Sequence, residues 1–218
     1  MGACNSVAFN VLCAVTHASF AILLALDDAT SKPSMFPLVR VYSDLIAFSI
    51  ITSCFHLFYA VNLGRYDPAI RFAEYSVTAA LMAEVIALLV RFQGDEDVSY
   101  VAVLTSVTML FGYLEEKTTA VPLMFRPHYL GYVPFLAAWY YLTSWFAEAE
   151  NVPDFVVAIF VVEFCLFSCF GLVQYMYVVR RGARRPDGEM DGVYNLLSLI
   201  AKTMLVMLCY GGVKAQAG

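Results

Sequence analysis

The stretch Tyr194 to Gly212 reads YNLLSLIAKTMLVMLCYGG, long and apolar enough to cross a bilayer, yet with a lysine, Lys202, near its middle. An ionised lysine at the bilayer centre costs about 3 kcal/mol on insertion scales, so Lys202 is expected to have both a partner and a use. One use open to a buried amine is condensation with a carbonyl compound to form a Schiff base.

The surrounding composition agrees with a membrane origin for that stretch. Of 218 residues, 61% are hydrophobic and 14% charged, and the mean hydropathy is +0.71. These values exclude an ordinary soluble domain and read as a polytopic membrane protein. The length accommodates seven spans of roughly 20 to 25 residues with short connections. No separate soluble domain fits, and residues 1–218 are read as one membrane domain. The N-terminal stretch lacks the basic region and small-residue cleavage site of a signal peptide, so it is read as a retained membrane helix. Cys4, Cys13, Cys54, Cys165, Cys169 and Cys209 fall mostly inside apolar runs without metal-ligand spacing, and are expected to be small buried hydrophobes. The net charge of -5 says nothing about nucleic acid, because the acids cluster in loops. No enzymatic activity, metal or nucleic-acid partner is expected.

Seven apolar segments follow one another, at about Asn5 to Leu26, Phe36 to Asn62, Ala69 to Phe92, Val98 to Leu114, Tyr129 to Phe146, Phe155 to Val179, and the stretch holding Lys202. The connections include DDATSKPSMFP, QGDED, EEKTT, EAENVPD and RRGARR. The segments are too long and too little alternating for barrel strands, and helices are the other way to satisfy a backbone in lipid. The predicted architecture is an all-α, seven-transmembrane-helix, rhodopsin-like bundle. Arg65, Arg71, Lys117, Arg126, Arg180, Arg181, Arg184 and Arg185 fall on the side of the N-terminus, against Lys32, Arg40, Arg91 and Lys214 on the other. The positive-inside rule then predicts a cytoplasmic N-terminus and an outer C-terminus.

Polar residues inside the spans mark the interior. Asn195, Ser198 and Lys202, at intervals of three and four, share one face, and the Lys202 side chain points back toward Ser198. Glu74 lies about a turn and a half into the third helix, near the expected depth of the amine, and is its natural counterion. A purely structural ion pair is the plain alternative. The second helix carries Ser49, Thr52, Ser53, His56 and Tyr59 at helical spacing, and the first carries Asn10, Cys13 and His17. Two histidines near an amine and a carboxylate point to a proton site as readily as to simple interhelical hydrogen bonding. His128, beside Pro127, reads as interfacial, and Trp145 as an interfacial anchor; Trp139 is placed to wall a pocket. Glu163 shares a face with Phe167, Phe170 and Gln174 and is expected to look into the same interior as the amine. Glu84 lies about 80° off the Glu74 face at 100° per residue. Both acids read either as protonated, hydrogen-bonded groups or as steps of a proton route toward the outside.

SLIAK at Ser198 to Lys202, RFAEYS at Arg71 to Ser76, and the histidine pair of the first two helices resemble the heliorhodopsins, microbial-type retinal proteins of inverted, N-inside topology. The resemblance covers all seven segments. It implies all-trans-retinal on Lys202 as a protonated Schiff base, with Glu74 as counterion and Ser198 beside the linkage. By the same resemblance His17 and His56 match the family's inner polar cluster, Met109 and Trp139 line the polyene, and Phe167 and Gln174 lie near its ring end. It also implies a homodimer, although the first outer loop, Asp27 to Met35, is shorter than the family's. Glu84 and Glu163 stand outside the family's pattern. The first functional reading is therefore a light sensor, in which isomerisation and Schiff-base proton transfer drive a conformational change. The alternative is a light-driven or light-gated proton conductor using Glu84 and Glu163. A seven-helix receptor or transporter without chromophore ranks third.

Overall fold

The computed structural model describes residues 3–31, 36–62, 69–91, 98–118, 123, 125–182 and 188–217. They form seven α-helices: α1 (Ala3–Ser31), α2 (Phe36–Val61), α3 (Ile70–Val90), α4 (Ser99–Lys117), α5 (Phe125–Glu148), α6 (Asp154–Gly182) and α7 (Gly188–Ala217). Among the described residues there is no strand. Lys32, Arg65, Arg184 and Arg185, on which the predicted orientation partly rests, lie outside the described residues, as do the acids Asp95, Glu96 and Asp97 and the loop residues 32–35.

Several helices run past their predicted ends. α1 continues through Asp27 to Ser31, so most of the predicted first turn is helical; α4 continues through Glu115 and Glu116; α5 begins before Tyr129 and α7 before Tyr194. Hydropathy marks the part of a helix that sits in apolar surroundings, whereas the hydrogen-bond ladder continues through charged residues, of which Glu and Lys favour helix. Between α5 and α6, Asn151 adopts a positive φ of 55°, a conformation that Asn tolerates better than most residues. Pro153 follows and sets the start of α6, its carbonyl accepting from Val156 N–H at 2.9 Å.

Five of the seven helices, α1, α2, α3, α6 and α7, hold a stretch long and apolar enough to cross a membrane by length and composition. α4 and α5 fall short of the expected seven by that measure, because Thr105, Ser106 and Thr108 interrupt α4 and tyrosines interrupt α5. They are nevertheless built into the bundle. Each helix packs against its neighbours in sequence, α1 also meets α7 to close the ring, and α3 additionally touches α5 and α6. α3 is thus the central helix, and its Ala79, Ala80, Ala83 and Ala87 are buried, small residues that let neighbouring backbones come close.

The ring has two ends: a near end, where α1, α3, α5 and α7 begin, and a far end. The far half is filled by apolar side chains, among them Leu24, Leu45, Phe48, Val85, Ile86, Ile159, Leu205 and Val206, all essentially inaccessible. Large apolar residues such as Ile22, Leu57, Leu136 and Leu172 are exposed, as suits a surface that faces lipid. Two expectations are corrected here. Among the described side chains, which do not include that of Cys4, Cys54, Cys165 and Cys169 are exposed and Cys13 and Cys209 buried, because an apolar run does not distinguish a lipid-facing position from a protein-facing one. Trp145 is buried instead of anchoring at an interface: its ring packs 5.3 Å from that of Tyr100, with the Arg91 guanidinium 5.2 Å over it.

Candidate functional site

Lys202 Nζ lies 2.7 Å from Glu74 Oε1, joining α7 to the central helix, with the two side chains 3% and 1% exposed. The Tyr59 hydroxyl of α2 donates to the other carboxylate oxygen, Oε2, at 3.0 Å. The face of Tyr75 lies 5.4 Å from the ammonium. Each buried charge therefore has its opposite and a further polar or π contact, the condition under which such a pair is tolerated. Neither tyrosine contact was anticipated from spacing, though Tyr59 lies on the polar stripe of α2.

On the near side of this pair, Asn10 ties three helices together. Its Oδ1 lies 2.9 Å from His56 Nδ1 on α2 and accepts from Asn195 Nδ2 on α7 at 3.3 Å. The His17 ring stacks on that of His56 with centroids 6.3 Å apart. Both nitrogens of His17, Nε2 of His56 and the hydroxyls of Ser49, Thr52 and Ser198 are buried without a hydrogen-bond partner among the described residues. Buried polar atoms in such number call for water or a ligand.

Two cavities lie on this side of the bundle interior, and Lys202 borders the smaller. The smaller, with about 370 Å³ of empty space, is walled by Lys202, Ser198, Tyr75, Met82, Met109 and Phe167, among others. The larger, about 640 Å³, shares Tyr75, Met109, Phe167 and Phe170 with it and continues to Gln174, Glu115 and His128. Trp139 borders neither; its ring packs 5.9 Å from that of Phe167 and so backs the cavity wall. Gln174 accepts a hydrogen bond from the Tyr194 hydroxyl.

The remaining predicted acids lie elsewhere. Glu84 is ion-paired with Arg40 of α2 toward the far end. Glu163 is fully buried on α6, neither oxygen has a hydrogen-bond partner among the described residues, and it borders neither cavity. Glu163 is inward-facing, but it lies nearer the start of α6 than Phe167, Phe170 and Gln174, which border the cavities, and so sits apart from them toward the far end.

A second polar cluster escaped the sequence reading. Arg71 Nη2 lies 2.9 Å from Glu116 Oε1, and its guanidinium is 4.3 Å from the Tyr194 ring. His128 Nδ1 lies 3.3 Å from Glu115 Oε1 and 3.4 Å from Oε2. His128 is therefore not interfacial but buried, since α5 starts early enough to turn it inward, and Glu115 and Glu116 belong to a buried helix end, not a loop. The available signal was the helical spacing of Thr108, Phe111, Gly112 and Glu115, which all border the larger cavity.

The family model for heliorhodopsin matches residues 34–213, most of the chain. The chain belongs to the heliorhodopsin family. It is accordingly a membrane protein of the retinal-binding photoreceptor type. Its fold is similar to that of a cyanorhodopsin from the cyanobacterium Tolypothrix sp. NIES-4075, whose crystal structure superposes with a TM-score of 0.75 at 13% identity, covering 96% of this chain and 94% of that one. No curated protein matches the chain in sequence. The residues fit what heliorhodopsin membership implies: a primary amine borders an aromatic-walled cavity that adjoins a larger one, a setting suited to an apolar polyene that ends in a carbonyl.

Proposed function

We propose that the chain is a heliorhodopsin-like photoreceptor in which Lys202 holds all-trans-retinal through Nζ as a protonated Schiff base, with Glu74 as its counterion. When bound, retinal supplies visible absorption and light-driven isomerisation. Glu74 holds the proton on Nζ electrostatically, and the Tyr59 hydroxyl fixes the orientation of its carboxylate. Ser198 offers a free hydroxyl beside the linkage, Met109 and Phe167 pack along the polyene with Trp139 behind, and Phe167 and Gln174 lie toward the ring end. His17 and His56 receive the proton that leaves Nζ, and the change in charge shifts the near ends of α1, α2 and α7, which Asn10 links. The whole chain acts as one domain, with its N-terminus in the cytoplasm and its C-terminus outside, as a homodimer.

One observation carries this reading: the 2.7 Å contact between an amine and a carboxylate, both withdrawn from solvent, at the mouth of an aromatic cavity. Reconstitution with retinal is expected to give a visible band that hydroxylamine bleaches and that Lys202→Ala abolishes. No band, or one that survives Lys202→Ala, refutes it.

A second reading, a light-driven or light-gated proton conductor, is favoured by the carboxyl of Glu163, which has no hydrogen-bond partner among the described residues. It requires protons to cross the apolar far half, with Glu84 and Glu163 as stations. Voltage-clamped cells would then give a light-evoked current that Glu163→Gln or Glu84→Gln removes. A current unaltered by either change excludes those stations, and no current leaves the photoreceptor.

A further inference from the structure

The larger cavity ends on ionisable side chains that the proposed photochemistry does not use. Glu115, in the last turn of α4, and His128, in the first turn of α5, both border it and are 3.3 Å apart, with side chains 1% and 6% exposed. Around them stand the Arg71–Glu116 ion pair between α3 and α4, Tyr132 of α5 with its ring 5.2 Å from the imidazole, Tyr175 of α6 at 5.7 Å, and Tyr194 of α7 beside Gln174. Counted over Arg71, Glu115, Glu116 and His128, the cluster carries one negative charge when the imidazole is neutral and none when it is protonated. Histidine is the side chain whose charge ordinarily changes between pH 5 and 8. The same cavity shares Tyr75, Met109, Phe167 and Phe170 with the one at Lys202, so the two adjoin, with the cluster bordering one and the amine the other.

We propose that Glu115 and His128 form a second charge site that acts on the chromophore from its ring end, setting its colour and making that colour respond to pH. This rests on the retinal reading given above. Excitation of a protonated polyene imine moves positive charge from the nitrogen toward the ring. Negative charge beside the ring therefore lowers the excited state more than the ground state and moves absorption to longer wavelength, by Coulomb attraction in a poorly screened interior. Protonating His128 cancels that charge and shifts the band to shorter wavelength. Groups at the nitrogen end act in the opposite sense: protonation of Glu74, His17 or His56 weakens the stabilisation of the ground-state charge and shifts the band to longer wavelength. The sign of the shift thus reports which end is titrating.

The test is the visible band of the full-length, retinal-reconstituted protein followed from pH 8 to pH 5, in the unmodified chain, His128→Gln and Glu115→Gln. A shift to shorter wavelength on acidification is expected in the unmodified chain, lost in His128→Gln. Glu115→Gln should already absorb at shorter wavelength at pH 8. A shift to longer wavelength alone, or a shorter-wavelength shift that survives His128→Gln, overturns the proposal. Absence of any band in the unmodified chain would instead overturn the retinal reading and this site's role with it. Should His128→Gln fail to fold, nitrogen NMR of the histidines in retinal-free protein supplies an independent readout. The titration midpoint of one of the three imidazoles should change in Glu115→Gln, and three unchanged midpoints would show that the pair does not interact.

Discussion

The two halves of the bundle solve opposite problems. The near half buries Lys202, Glu74, Arg71, Glu115, Glu116, His17, His56 and His128, a concentration of ionisable groups that stands only because most of them are matched with an opposite charge or a hydrogen bond. The far half is a plug of Leu, Ile, Val and Phe in which Glu84 and Glu163 are buried exceptions. The difference teaches where charge can move. A proton near Nζ would have many polar groups within reach toward the near end, whereas toward the far end Glu84 and Glu163 stand among side chains that could not hold it. Among the described residues, buried polar atoms without a hydrogen-bond partner lie on His17, Ser49, Thr52 and Ser198, near the ion pair, and on Asp44 and Glu163 toward the far end, and such atoms call for water.

Variants of the two halves break or sharpen this contrast. Glu74→Ala strands the Lys202 ammonium in a buried site, and about 3 to 5 kcal/mol of stability is expected to be lost, measured by unfolding of the retinal-free protein in detergent. A loss below 1 kcal/mol would mean the near half does not depend on charge matching. In the plug, Leu205→Ala removes a fully buried side chain, with an expected loss of about 2 to 4 kcal/mol and no change in the position of a retinal band. A displaced band would show that the far half also touches the chromophore. Glu163→Gln should change stability by less than about 1 kcal/mol, because no partner is stranded by the change. A larger loss by the same unfolding measurement would reveal Glu163 as an integrated member of the far half. The smallest effect is assigned to Ser53→Ala, which removes the hydrogen bond of its hydroxyl to the Ala14 carbonyl at 2.8 Å, with about 0.5 to 1 kcal/mol expected by the same method.

The ion pair at the centre was legible in the sequence because a helix repeats regularly. Lys202 and Ser198 share a face, and Glu74 sits at matching depth, so depth and spacing sufficed. His17 and Asn10 of α1 and His56 of α2 could be placed for the same reason. Glu115 and His128 were not legible, since a run of EEK after an apolar segment and a histidine after proline both resemble exposed connections. Only the neighbours of a helix end decide whether it is wet. Trp139 and Glu163 are a different case: both lie on inward-facing helix surfaces, yet inward covers a wide arc, and only the packing of α5 against α6 separates the cavity wall from what stands behind it.

By itself the sequence determined that seven helices form and that Lys202 and Glu74 lie at one depth within them. Hydropathy and the helical repeat are properties of a single segment, and lipid leaves the backbone little alternative to helix. The tertiary structure alone decided which oxygen of Glu74 meets the amine and which the phenol of Tyr59, that α3 is the central helix, and that the cavity at Lys202 adjoins the one bordered by Glu115 and His128. Those features depend on the rotation of each helix about its own axis, which is set by contacts between side chains distant in sequence and has no signature within any one segment.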